Sequence, residues 1–307
     1  MNSKKIKGHL IQKSASERFF SIISHIFLII VSLLCVCAFL IVLGSSFQSQ
    51  REIMERGYAI IPRQFSLEAY KMVLTFPKQI IDAYIVTAVT TLLGTFIGVC
   101  ISAGAGYVLS RQTYRYKNII AFLVFFSMLF NGGLVPSYIL ITQWLGLKDS
   151  IWALILPLVT SGWYIILMRG FFQSVPGAMI ESARIDGASE FKTFFQIVLP
   201  VSKPVLATIS LFYVLAYWND WYLSLLYATD ESLYKLQYLL MQILKKAEFL
   251  NSEAGKLLQG TGVEQMEAPT LNVRMAVCVL AAGPVLVIVP FFQKYFVKGI
   301  TVGSVKG

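Results

Sequence analysis

A chain of 307 residues that is 56% apolar, 14% charged and has a mean hydropathy of +0.68 lies outside the range of soluble domains, for which roughly 45 to 50% apolar is usual. Its net charge of +10 does not point to nucleic acid, because the 26 Lys and Arg are scattered between apolar runs and form no stripe suited to tracking phosphates. Cys35, Cys37, Cys100 and Cys278 all fall inside apolar runs, where they act as small hydrophobes, so neither a disulfide framework nor a metal site follows.

A window of about 20 apolar residues per crossing predicts six spans and an all-α, polytopic membrane protein. They are Phe19 to Leu43, Ile80 to Leu109, Ile119 to Leu145, Ile151 to Met168, Val205 to Leu226 and Ala276 to Phe296. The first run is too long for a signal-peptide core and lacks a small-residue cleavage site, so it is expected to remain as a span. Residues 1–18 form an N-terminal segment, and 19–307 form the transmembrane domain. An even number of crossings puts both termini on one side. Fifteen of the 26 Lys and Arg fall on that side, against Glu17, Glu181, Asp186 and Glu190, so the positive-inside rule makes it cytoplasmic.

The first external segment, Ser45 to Gln79, carries a predicted helix over Leu67 to Leu74, introduced by Ser66 and Glu68. In the second span Gly94 and Gly98 form a GxxxG pair, continued by Ser102, Gly104 and Gly106, which reads as a face for close helix packing. The third span is interrupted at Asn131-Gly132-Gly133, with Pro136 just after. Backbone groups freed there need protein or water as partners, so Asn131 either faces a pathway or marks a kink near the outer interface.

Between the fourth and fifth spans lies a polar interval, Pro176 to Pro200, that reads as helix, turn and helix at the cytoplasmic surface. The first helix, Gly177 to Ile185, is expected to turn Met179, Ala183 and Ile185 inward and Glu181, Arg184 and Asp186 to water. Gly187 stands where a helix stops in the left-handed conformation. Ser189 caps the second helix and Glu190 suits its dipole. Phe191, Phe194, Phe195 and Val198 give that helix an apolar stripe, and Pro200 ends it.

In the fifth span Asn219 and Asp220 sit among Trp218, Trp221 and Tyr222. A charge inside a membrane is costly and usually functional, but counting at about 1.5 Å per residue puts Asp220 near the outer interface. An outer gate or ligand contact and a structural pair both remain open. The external segment from Thr229 to Arg274 is amphipathic over Leu233 to Leu250 and Gly, Ser, Glu and Gln rich thereafter, which suits contact with an external partner. The tail over 297–307 is basic and glycine-spaced.

The 176–200 interval resembles the EAA loop of ABC importer permeases: Glu181, Ala183, Asp186, Gly187, Ala188, Ile197, Leu199 and Pro200 match its pattern, and Ser182 replaces one alanine. LGLKDSIWALILP (145–157), YWNDW (217–221) and QKYFVKGITVGSVKG (293–307) resemble MalG-type carbohydrate permeases. NGGLVPSY (131–138) and VSKP (201–204) are similar to the LplC/YtcP-type branch, associated with oligosaccharides. The resemblance implies the type I ABC importer permease fold and a non-catalytic subunit in a bacterial or archaeal plasma membrane. It implies a second homologous permease of the MalF or LplB type, two ATPase subunits carrying ATP and magnesium, an extracytoplasmic solute-binding protein and a sugar substrate. Glu181, Ser182, Ala183, Asp186, Gly187, Ala188 and Ser189 would contact the ATPase, as would the tail residues Gly303, Ser304, Val305, Lys306 and Gly307. Asn131, Asn219 and Asp220 are the pathway candidates.

The chain supplies no nucleotide site of its own: near Gly255-Lys256 the P-loop glycine is missing and Leu257 stands where Ser or Thr is required. His9 and His25 have no acidic neighbours arranged for general base work, so an enzyme is not expected. A permease for amino acids or peptides, or an ion-coupled secondary transporter, is the alternative.

Overall fold

The computed structural model describes residues 15–73, 77–251 and 271–303, and among these every regular element is helical. Three helices are long and apolar enough to cross a bilayer alone: α1 (Ala15–Ser46), α4 (Pro77–Ser110) and the last helix, α15 (Leu271–Gly303). Between α1 and α4 lie two short external helices, α2 (Gln50–Arg56) and α3 (Glu68–Val73). The other crossings are bent. α5 (Lys117–Leu129) meets α6 (Leu134–Ile139, continued as a π turn to Trp144) at 111°. A 3-10 turn over Ile151–Leu154 and α7 (Leu156–Val159) meet α8 (Gly162–Gln173) at 48°. The surface helices α10 (Glu190–Thr193, continued as a π turn to Val198) and α11 (Leu199–Val201) turn by 82° into α12 (Lys203–Trp218). Six crossings result when each bent pair contributes one.

The centre is α4, packed between α8 and α12, with α15 joining α12 to α1. Its glycines explain the close seam. A Cβ on Gly94 would lie 2.2 Å from the Tyr217 ring, and one on Gly98 would lie 2.7 Å from the Tyr213 ring, so bare backbone is what admits the two tyrosines. Those tyrosines then serve the broken fourth crossing. Tyr217 Oη donates to the Ile155 carbonyl at 2.7 Å and Tyr213 Oη to the Val159 carbonyl at 3.0 Å, while Ser102 Oγ meets Tyr213 Oη at 2.8 Å. The bend at Thr160 is thereby paid in protein hydrogen bonds, as lipid requires.

The same device recurs in α15. Pro284 has no N–H for the Leu280 carbonyl four residues back, and Tyr84 Oη donates to that carbonyl at 2.5 Å. Trp218 Nε1 donates to the next carbonyl, Ala281, at 3.0 Å. By contrast α1 turns a fully exposed apolar surface outward, with Phe19, Phe20 and Leu34 each more than 60% exposed, so its partners are lipid or another chain.

Several boundaries differ from the sequence expectation. The fifth crossing is not one helix to Leu226: α12 stops at Trp218, and a separate α13 (Tyr222–Tyr227) follows. α15 starts at Leu271 rather than Ala276. The expected helix at Leu67 to Leu74 is α3, with Glu68 N donating to Ser66 Oγ at 3.2 Å. α2 was not foreseen, although Ser49 accepting from Glu52 N at its start and Gly57 at φ +80 at its end are standard signals.

Candidate functional site

The polar interval folds into α9 (Gly177–Ile185), a turn, and α10 leading into α11. The turn is a Schellman motif: Ala188 N donates to the Ala183 carbonyl at 2.9 Å and Gly187 N to the Arg184 carbonyl at 3.0 Å. Gly187 has φ +75, and a Cβ there would meet nothing within 4 Å, so backbone conformation alone demands glycine. Ser189 Oγ accepts from Lys192 N at 3.3 Å and starts α10.

The inward face of α9 differs from the expectation. Ile180 and Ala183 are buried, whereas Met179 (41% exposed) and Ile185 (85%) point away from the chain. The expected stripe on the second helix also divides. Phe194 and Val198 pack on the core with Tyr107 and Phe172, while Phe191 (74%) and Phe195 (49%) are exposed. The helix runs through Pro200 to Val201. Glu181, Ser182, Asp186, Gly187 and Ser189 are exposed, Ala188 is half-buried and Ala183 is buried, so six of the seven expected contact residues remain accessible. The result is a helix fixed on one side and bearing unpartnered apolar side chains on the other.

One carboxylate fixes the elbow. Glu190 accepts from Arg184 Nη2 of α9 at 2.5 Å and from Tyr107 Oη of α4 at 2.7 Å. Arg111 donates to Tyr107 Oη at 2.8 Å, lies over its ring at 4.4 Å, and brings Nε within 3.6 Å of Glu190, an ion pair too long for a hydrogen bond. Arg184 first, then Tyr107, hold the Glu190 carboxyl below its ordinary range, and Glu190 in turn raises the Arg184 guanidinium. From the local pattern Glu190 has only a role at the helix dipole. Tyr107 lies 83 residues away, and nothing in the pattern links the two.

At the outer end, Asp220 sits in the break between α12 and α13. Its Oδ1 accepts from Tyr222 N and Leu223 N at 3.2 and 3.3 Å, and its Oδ2 takes Lys235 Nζ at 2.9 Å. Both side chains of that ion pair are shielded, at 10% and 0% exposure. Lys235 opens α14 (Leu236–Asn251), whose first N–H donates to Thr87 Oγ1 of α4 at 2.8 Å. Asn219 is exposed and bonds the Leu215 carbonyl at 3.0 Å. Asn131 is also exposed, with its Oδ1 accepting from Gly133 N at 2.9 Å across the bend at Gly133, φ +87. The structure thus joins Asn219 and Asp220 at one break, and Asn131 shares no hydrogen bond with either among the described residues. Asp149, itself at φ +56, ties the next turn by accepting from Thr229 N, Thr229 Oγ1 and Asp230 N. Gly303 is the last residue of α15; Ser304, Val305, Lys306 and Gly307, and residues 252–270 of the external segment, lie outside the described residues.

Comparison with known proteins meets this geometry. Residues 11–302 match the family model of the binding-protein-dependent transport system inner membrane component. The Bacillus subtilis polygalacturonan/rhamnogalacturonan transport system permease protein YtcP is 38% identical over 292 residues, covering 95% of this chain and 99% of that protein. Protein LplC of the same organism is 36% identical over 299 residues, covering 97% and 99%. Among solved structures, a chain of a bacterial ABC transporter involved in the import of the acidic polysaccharide alginate superposes with a TM-score of 0.75 at 28% identity, covering 92% of this chain and 99% of that one. With the helix–turn–helix, the broken crossings and these matches over nearly the whole length, the chain belongs to the binding-protein-dependent inner membrane components, as an all-α polytopic permease of the ABC importer fold.

Proposed function

We propose that this permease serves an ATP-driven importer of carbohydrates, oligosaccharides in the first place, and that α9 is its docking element for a separate ATPase subunit. The carrying observation is the surface of α9 and of the start of α10: Met179 and Ile185 on the one and Phe191 on the other stand exposed, on an elbow fixed by the turn at Gly187 and by Glu190. Such a surface fits insertion into a protein groove, since exposed apolar side chains on a fixed helix bind in the helix-in-groove manner. The carbohydrate class is supported by the relative named for polygalacturonan and rhamnogalacturonan transport and by the structural neighbour described for alginate import.

In this reading the assembly holds a second homologous permease, two ATPase subunits with ATP and magnesium, and an external solute-binding protein. The chain itself is non-catalytic. Both termini and the 176–200 segment face the cytoplasm of a prokaryotic cell in this reading, which the Lys and Arg distribution supports. ATP-driven closure of the ATPase pair moves α9, and the rigid elbow carries that movement through α10 and α11 into α12, whose seam with α4 reaches the outer break.

Reconstituted vesicles holding the full assembly test the reading. Accumulation of labelled uronic-acid oligosaccharides that requires both ATP hydrolysis and the binding protein is the expected result. Accumulation driven by an ion gradient with no nucleotide, or a binding protein that takes only amino acids or peptides, would overturn it.

A further inference from the structure

Along Ile180, Glu181 and Arg184, α9 closes a basic cavity of about 510 Å³ between the inner ends of three crossings. Arg111 follows α4, Lys117 opens α5, Arg169 lies in the last turn but one of α8, and Arg184 comes from α9. Their acidic neighbours are Glu190, engaged by Arg184 and Arg111, and Glu181 on the cavity wall. Among the described residues Lys117 Nζ reaches the Gln112 carbonyl, at 3.4 Å, and no carboxylate within ion-pair distance. Arg169 is the telling residue: its Nε is buried without a hydrogen-bond partner, and among the described residues it has no carboxylate within ion-pair distance. Four cations face two carboxylates, in a space far larger than the roughly 30 Å³ a water molecule occupies.

Arg169 is half-buried with its Nε unpartnered, and the four cations of the cavity outnumber the carboxylates that face them, so the cavity suits an anion. Its depth selects which one. It lies at the inner ends of three crossings, which the orientation proposed above puts at the cytoplasmic headgroups, and α5 leads away from Lys117 with no buried residue and with Ile119, Phe122 and Leu123 exposed. Basic pockets between spans on the cytoplasmic side bind anionic headgroups in this way.

We infer that this cavity binds the phosphate of an anionic phospholipid of the inner leaflet, with Arg169 and Lys117 as its principal ligands. The inference uses the orientation proposed above but not the identity of the transported solute. Lipid bound there would brace α9 along Ile180, Glu181 and Arg184 while Met179, Ile185 and the turn at Gly187 remain free for the ATPase.

The test is lipid exchange on the purified assembly in nanodiscs, read by native mass spectrometry with phosphatidylglycerol and phosphatidylcholine as probes. Wild-type complex should retain phosphatidylglycerol preferentially, and Arg169→Gln with Lys117→Gln should cut that preference by about tenfold. Arg169→Lys, which restores the charge, should recover part of it. Inorganic phosphate added in excess should not displace the lipid; displacement by phosphate would show a soluble anion's site and overturn the assignment. Subunit stoichiometry in the same spectra reports assembly. If the double variant fails to assemble, the wild-type measurement decides alone: equal retention of both lipids refutes the site, and selective retention upholds it.

Discussion

Two helix breaks, one at each membrane face, are built on opposite principles. The inner break, at Gly187, is closed by local backbone hydrogen bonds around a glycine in the left-handed region, and its charged cluster is open to water, with Glu190 about half exposed. The outer break, between Trp218 and Tyr222, contains no glycine. A carboxylate caps the second helix there, and a fully buried lysine fifteen residues on neutralises it. The inner break needs conformational freedom and a fixed angle, while the outer one needs every polar group satisfied away from water. Function at the inner elbow should therefore depend on geometry more than stability, and the reverse should hold outside.

The largest effect is expected from Lys235→Met. It leaves Asp220 shielded and uncompensated, which typically costs about 3 to 5 kcal/mol. Denaturant unfolding of the purified protein should show that loss, and adding Asp220→Asn, which keeps the cap but drops the charge, should recover most of it. Stability unchanged in Lys235→Met would remove the contrast between the two breaks.

Next comes the seam connecting them. Gly94→Ala would drive a methyl into the Tyr217 ring, and overpacking of this kind costs about 1 to 3 kcal/mol. Thermal unfolding measures it. Tyr217→Phe in the Gly94→Ala background cannot relieve the clash, because the ring remains, and it adds the loss of the bond to the Ile155 carbonyl.

Gly187→Val should cost about 1 to 2 kcal/mol for a left-handed residue, and no clash, since the space around it is open. Its effect belongs to coupling: assembly is retained while ATP hydrolysis no longer drives uptake. Parallel loss of stability and transport would mean that the turn is only structural.

The smallest effect concerns pH. Glu190 has its folded pKa depressed by Arg184 and Tyr107, so its contribution is present above the ordinary carboxylate pKa and is lost as pH falls through the depressed value. Because the group is half exposed, that contribution lies within about 1 kcal/mol. Unfolding of Glu190→Gln and wild type compared from pH 7 downward should converge only in acid.

Legibility followed the range of the interactions. The six apolar runs, the elbow at Gly187, the Ser189 cap and the break at Asn131 to Gly133 rest on residues within a few positions of each other, and the sequence displays them. The glycine pair in α4 was readable as a packing face, but not its partners, because Tyr213 and Tyr217 lie more than a hundred residues on. Lys235 falls in the segment read as external and Asp220 in the run read as one continuous span; only the fold places them together. The inward face of α9 differs at two positions, with Ile180 buried and Met179 and Ile185 exposed, since a nine-residue helix of mixed polarity does not fix its rotation by its own pattern.

The central claim is that the outward face of α9 is a cytoplasmic docking surface. Thiol labelling of Ile185→Cys, in a background lacking Cys35, Cys37, Cys100 and Cys278, tests it most directly. In inverted vesicles a membrane-impermeant reagent should label residue 185 rapidly when the ATPase subunits are stripped and slowly when they are restored, while sealed right-side-out vesicles remain unlabelled. Labelling from outside the cell, or a rate indifferent to the ATPase, would contradict the account.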